Sequence, residues 1–155
     1  MLQQTQDITI SAIQPPSGTT LPSCELVIGG QPSGYRVEGC ILEAAIKCVG
    51  GYLIFLTDDI PYEDSLNIHL IDHSGLLQDT ARIGSIYSTG SFQDLQIQQP
   101  DKVAFRFIGD TVWCVQTLPK PALRIPLVSE PAGVHRPIGF KRHFAILRKP
   151  QTIPC

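Results

Sequence analysis

The segment Tyr52-Leu-Ile-Phe-Leu-Thr-Asp-Asp-Ile-Pro-Tyr-Glu-Asp64 constrains the chain more than any other. Five consecutive apolar residues, Tyr52 to Leu56, read as a central strand covered on both faces, because a half-exposed strand would alternate apolar and polar residues. The chain then turns into four carboxylates within seven residues: Asp58, Asp59, Glu63 and Asp64. A strand of this kind needs other strands packed around it, and the rest of the sequence supplies hairpins.

Thirteen prolines and 13 glycines in 155 residues dictate frequent turns and little helix. Residues 1–23 are rich in Gln, Ser, Thr and Pro and read as an irregular N-terminal arm, with an edge strand expected near Asp7–Ala12. Cys24 to Ile28 forms a short strand that ends at Gly29-Gly30. From Tyr35 to Cys48 the apolar positions alternate, with Cys40, Leu42, Ala44, Ile46 and Cys48 on one parity and Gly39 marking a bulge or bend. Leu42 to Lys47 contains fair helix formers. The turn Val49-Gly50-Gly51 nevertheless favours a strand that returns directly into Tyr52–Thr57. Ser65 to Asp72 places Leu66, Ile68 and Leu70 on one face and Asn67, His69 and Ile71 on the other, before a turn at His73-Ser74-Gly75.

Asp94 to Gln98 is a short strand ended by Pro100. Lys102 to Thr117 is a hairpin about Gly109-Asp110, with Val103, Phe105 and Phe107 on one face and with Pro119 and Pro121 expected to end it. Leu123 to Val128 reads as an edge strand because of Pro126. His143 to Leu147 reads as a last strand. Together these runs recur at spacings of about 8–12 residues and predict an all-β fold: a single antiparallel sandwich or flattened barrel of about ten short strands. Residues 1–155 are read as one domain, with 129–155 as a loop-rich basic C-terminal segment.

The formal net charge of −2 hides a segregation. Residues 58–110 hold nine acidic and three basic residues, whereas 111–155 hold one acidic and seven basic. The two halves are expected to pair within one domain. The negative balance argues against nucleic acid as a partner. Stacking of single-stranded nucleic acid on Phe140 and Phe144 among the basic residues 136–149 is weaker than a tail that docks over a sheet edge. Five cysteines at no metal-ligand spacing, a polar start and no long apolar run predict reduced thiols, a cytoplasmic location and no membrane span.

No nucleophile elbow, phosphate loop or dinucleotide fingerprint occurs, so no catalytic residue and no cofactor are assigned. The acidic loop lacks the spacing of a calcium loop, and His69 and His73 are four apart on a strand, so no metal site is assigned either. Clustered like charges repel unless an outside group offsets them, which makes the loop either a solvated turn or a surface for a basic protein partner. The expected partner-binding residues are Asp58, Asp59, Tyr62, Glu63 and Asp64, with Tyr87 in the 84–91 loop as a lesser member. The alternative is a small enzyme or ligand-binding barrel with a pocket near Asp58, His69 and Trp113.

Across Tyr52–Asp64, Leu66-Asn-Ile-His-Leu-Ile-Asp72 and the Gly109-Asp110-Thr-Val-Trp113 hairpin, the middle two-thirds of the chain resembles small uncharacterised bacterial proteins of the immunity type, found near secreted toxins. The resemblance implies a cytoplasmic antidote that binds one toxin or effector protein and blocks it. It carries no catalytic motif and no site residues of its own.

Overall fold

A computed structural model describes residues 1–60, 63–84, 90–109, 111–123, 131–137 and 141–150. In chain order the strands are β1 (Gln3–Gln4), β2 (Ile8–Gln14), β3 (Ser23–Ile28), β4 (Gln31–Glu38), β5 (Ile41–Cys48), β6 (Gly51–Thr57) and β7 (Leu66–Asp72). There follow β8 (Leu77–Ile83), β9 (Gln93–Gln98), β10 (Lys102–Arg106), β11 (Thr111–Leu123), β12 (Val134–His135) and β13 (Lys141–Pro150). They form three antiparallel sheets in the orders β1-β5-β6-β7-β8-β12, β13-β11-β10-β9 and β2-β3-β4. None closes into a barrel, and the architecture is a β-sandwich with a shared middle sheet.

The buried run in β6 explains that middle sheet. All seven residues of β6 are buried. Leu53 and Phe55 join Leu66, Ile68, Phe105, Trp113 and Phe144 in a core against the four-stranded sheet. Tyr52, Ile54 and Leu56 face the other way, into a second core with Ile8, Cys24 and Leu26 of the three-stranded sheet. Each face of one strand is thus covered by a different sheet, which is why its sequence shows no alternation. In β7 the alternation is plain and correctly assigns the faces: Leu66 and Ile68 enter the first core, and Ile71 enters the second.

Glycine permits the crossing between layers. Gly39, at φ +113°, joins β4 of one sheet to β5 of the next, and a Cβ there would lie 2.5 Å from the Cβ of Leu56. Gly51, at φ +155°, opens β6 where a Cβ would lie against the Ile71 carbonyl oxygen and the Asp72 backbone. The β7–β8 turn is held by the Asp72 carboxylate, whose Oδ1 accepts from Ser74 N (2.9 Å), Ser74 Oγ (2.6 Å) and Leu76 N (3.0 Å). The Ser74 hydroxyl, followed by the backbone donors, holds the Asp72 carboxyl below the usual carboxylate range.

Four expectations need correction. The N-terminal arm is more regular than expected: besides the edge strand expected near Asp7–Ala12, which is β2 paired with β3, β1 pairs with β5, and Leu2 is buried in the first core and Ile8 in the second. Leu42 does not share a face with Ala44, because the register shifts between them and Leu42 packs on the second core. Pro119 and Pro121 do not end β11. Thr117 pairs with Phe144 and Ala122 with Arg142, so residues 118–121 bulge opposite His143 alone, a place where proline costs no ladder bond. The C-terminal strand is longer than expected, ten residues from Lys141 to Pro150. The strand expected over Leu123–Val128 lies, after Leu123, outside the described residues.

The acidic middle and basic tail do pair. Arg136 Nη1 lies 2.9 Å from Asp79 Oδ2, and the same oxygen accepts from the His143 backbone N–H at 2.8 Å. Arg136 also donates to the Phe144 carbonyl (2.8 Å) and lies 4.4 Å over the Phe144 ring. Arg148 lies 5.5 Å over Trp113. The tail covers the β8 edge through β12, where Val134 and His135 pair with Ile83 and Arg82.

Candidate functional site

The loop that follows β6 is built around two of its own carboxylates. Asp58 is wholly buried: its Oδ1 accepts from Asn67 Nδ2 at 2.7 Å and its Oδ2 from Arg82 Nη2 at 2.5 Å. Arg82 Nη1 donates to Asn67 Oδ1 (3.0 Å), and Asn67 Nδ2 also donates to the Leu56 carbonyl (3.2 Å), so the three side chains form a closed network. Asp64 Oδ1 accepts from the backbone N–H groups of Asp58 (3.0 Å) and Asp59 (3.1 Å), folding the loop back on itself. Burial pushes the Asp64 carboxyl up, against the backbone donors that lower it. Asp59 takes φ +57°, which an aspartate tolerates better than most residues.

The structure therefore divides the four carboxylates that the sequence presents as equals. Asp58 and Asp64 hold the loop, and Asp59 and Glu63 are exposed. Asp58 cannot touch a partner, because no part of its side chain reaches solvent. Tyr62 and Tyr87 lie outside the described residues. Cys40 closes the base of the loop, donating Sγ–H to the Asp58 carbonyl at 3.1 Å. Burial raises its thiol pKa, and Asp59, Asp58 and Asp64 raise it further.

The pocket expected near Asp58, His69 and Trp113 does not form as one site. Asp58 and His69 lie on the face of the middle sheet toward β2-β3-β4, whereas Trp113 is in the core on the opposite face. A cleft of about 440 Å³ does open beside His69, between β4 and β8. Sequence reasoning found His69 but missed Asn67, Thr80 and Arg82, whose common face is visible only once β7 and β8 are paired, Asn67 opposite Arg82 and His69 opposite Thr80.

His69 is a neutral structural group. Its Nε2 donates to the Glu38 carbonyl at 2.9 Å, tying β7 to β4, and its Nδ1 accepts from the Thr80 hydroxyl at 2.8 Å. Burial lowers its pKa to about 4, opposed only by the Glu38 contact. Between 6.5 and 4 the unfolded chain binds a proton that the folded ring refuses. Stability is thus full above pH 6.5 and falls as pH drops toward 4, by about 3 kcal/mol in all. Denaturant midpoints measured across that window should show the slope, and His69→Gln should flatten it. An unchanged slope in that variant would mean that other groups carry the acid sensitivity.

The remaining chemistry is quiet. Burial raises the Cys24 thiol to about 11 and also raises Cys48, so neither is an activated nucleophile. Cys24, Cys40, Cys48 and Cys114 are unbridged. Among the described residues no three His, Cys, Asp or Glu side chains converge as a metal-ligand set, and no helix is long and apolar enough to cross a membrane. The chain matches no family model, no curated protein and no solved structure, and the reading of its surface rests on its own geometry.

Proposed function

We propose that this chain is a non-enzymatic protein-binding protein of the immunity or inhibitor type, acting in the bacterial cytoplasm on a basic partner toxin or effector. The observation that supports the reading is the construction of the 58–64 loop. Asp58 is pinned to Arg82 and Asn67, Asp64 accepts from the Asp58 and Asp59 backbone amides, and Asp59 and Glu63 are left at the surface. Asp58, Asp59 and Asp64, held in place by these bonds before binding, lose less entropy on association. Exposed carboxylates on it would steer and select a basic partner. Tyr62 stands between Asp59 and Glu63 in sequence and is the residue type that anchors interface hot spots. The unbridged cysteines accord with a reducing compartment.

The test is a tagged pull-down from the native cell, followed by measurement of whether a stoichiometric partner is inhibited by the pure chain. With that partner in hand, Asp59→Lys/Glu63→Lys should weaken the complex by about 2 kcal/mol, some thirtyfold in Kd. It should lower folding stability by no more than about 1 kcal/mol, the cost of lysine in the left-handed backbone of Asp59. Asp58→Lys and Asp64→Lys are unsuitable, because they would break the loop itself. A complex untouched by the double reversal places the interface elsewhere. Failure to recover any inhibited partner would overturn the proposal.

A further inference from the structure

We infer that the cleft between β4 and β8 is a binding site for a small molecule bearing a carboxylate or phosphate group. The three-stranded sheet covers β5 and β6 but leaves part of the middle sheet open: its core takes Ile71 from β7 and nothing from β8. That part is polar: Asn67 and His69 are buried at its floor, and Thr80 and Arg82 are half-buried beside them on the same face. At about 440 Å³ the cleft has the size of a small-molecule pocket.

Its donors are guanidinium groups set at fixed angles. Arg82 gives two of its five N–H donors to Asp58 and Asn67, and its side chain remains 24% exposed at the cleft. Arg36, on β4 at the rim of the cleft, is exposed; its Nη2 reaches back to the Ala12 carbonyl (2.8 Å) and the Ser23 hydroxyl (3.0 Å), so it contributes its positive charge and remaining N–H groups from the rim. Arg136 forms part of the wall but adds no donor, since its side chain is buried and its Nη1 and Nη2 are given to Asp79 and the Phe144 carbonyl. Asp58 thus acts as a positioning group for the Arg82 guanidinium plane and does not line the cleft itself. Such planes match a carboxylate or phosphate with two parallel hydrogen bonds, which a point charge cannot do. Glu38 is the one carboxylate in the described lining, two residues from Arg36 on the same strand. His69 is not a donor here, because its N–H is used on the Glu38 carbonyl.

The opposed charges of Arg36 and Glu38 allow a test that a merely structural role would not satisfy. Both side chains are exposed, so Arg36→Gln and Glu38→Gln should fold with wild-type thermal midpoints. The full chain would be titrated with inorganic phosphate and, separately, with succinate, following backbone amide resonances at constant ionic strength set by sodium chloride. One or both probes should shift the amides of Asn67, Thr80, Arg82 and His135 saturably, and the tighter probe identifies the group recognised. Arg36→Gln should weaken that probe about threefold or more, and Glu38→Gln should tighten it by a similar factor. Shifts matched by sodium chloride alone, no saturable shift with either probe, or equal affinities in both variants would each overturn the inference. None of these readouts depends on the 58–64 loop binding a protein.

Discussion

Arg82→Ala is expected to lower folding stability by about 3 kcal/mol, the low end of the range for breaking a buried ion pair. The alanine leaves the Asp58 carboxylate wholly buried with Asn67 Nδ2 as its remaining side-chain donor. The low end applies because Arg82 itself is about a quarter exposed, at 24%. For a chain of this length the thermal midpoint should fall by roughly 10 °C. Arg82→Lys should lose part of that amount, since an ammonium cannot serve Asp58 and Asn67 together in the plane of a guanidinium. Pairing the change with Asp58→Asn should recover much of the loss, because the uncompensated charge is then gone. A fall below about 1 kcal/mol for Arg82→Ala would mean that water reaches the carboxylate. The same variant should weaken the protein binding proposed for the 58–64 loop, even though the Asp58 side chain is buried.

A loss of about 4 kcal/mol is expected for Phe55→Ala, measured by denaturant unfolding. Phe55 is fully buried in the middle of β6, with ring centroids 5.3 Å from both Phe92 and Phe105, which lie 5.2 Å from each other. Removing the ring leaves a cavity between two sheets whose backbones are held by their own ladders, so the gap cannot collapse. It also removes two aromatic contacts, of the kind that contribute about 0.5–1.5 kcal/mol each beyond area burial. Phe55→Leu should cost less than half as much, because it refills most of the volume. If Phe55→Ala cost only about 1 kcal/mol, the four-stranded sheet would have to close onto the middle sheet when the ring is lost.

Local pattern was sufficient for much of the fold. Period-two alternation assigns the faces of β7 and β10 correctly, because successive side chains on a strand point to opposite sides whatever it packs against. The apolar run 52–56 marks the central strand for the same reason. Turn chemistry locates Val49-Gly50 and Asp72–Gly75, because those residues act on their own backbone.

Features that depend on residues far apart were not legible. Nothing in Tyr52–Leu56 reveals that two different sheets cover its faces. The register shift near Glu43, which turns Leu42 to the opposite face, is a property of the β5–β6 pairing. The bulge that admits Pro119 and Pro121 exists only because β13 pairs on either side of it. The candidate site follows the same division. Four acidic residues in a row of seven are visible at once, and so is their power to repel. Asp58 is withdrawn from the surface by Arg82, 24 positions away, and Asp79 is neutralised by Arg136, 57 positions away. Burial of a carboxylate requires a partner that meets it in space, and only the pairing of distant strands decides which charges meet.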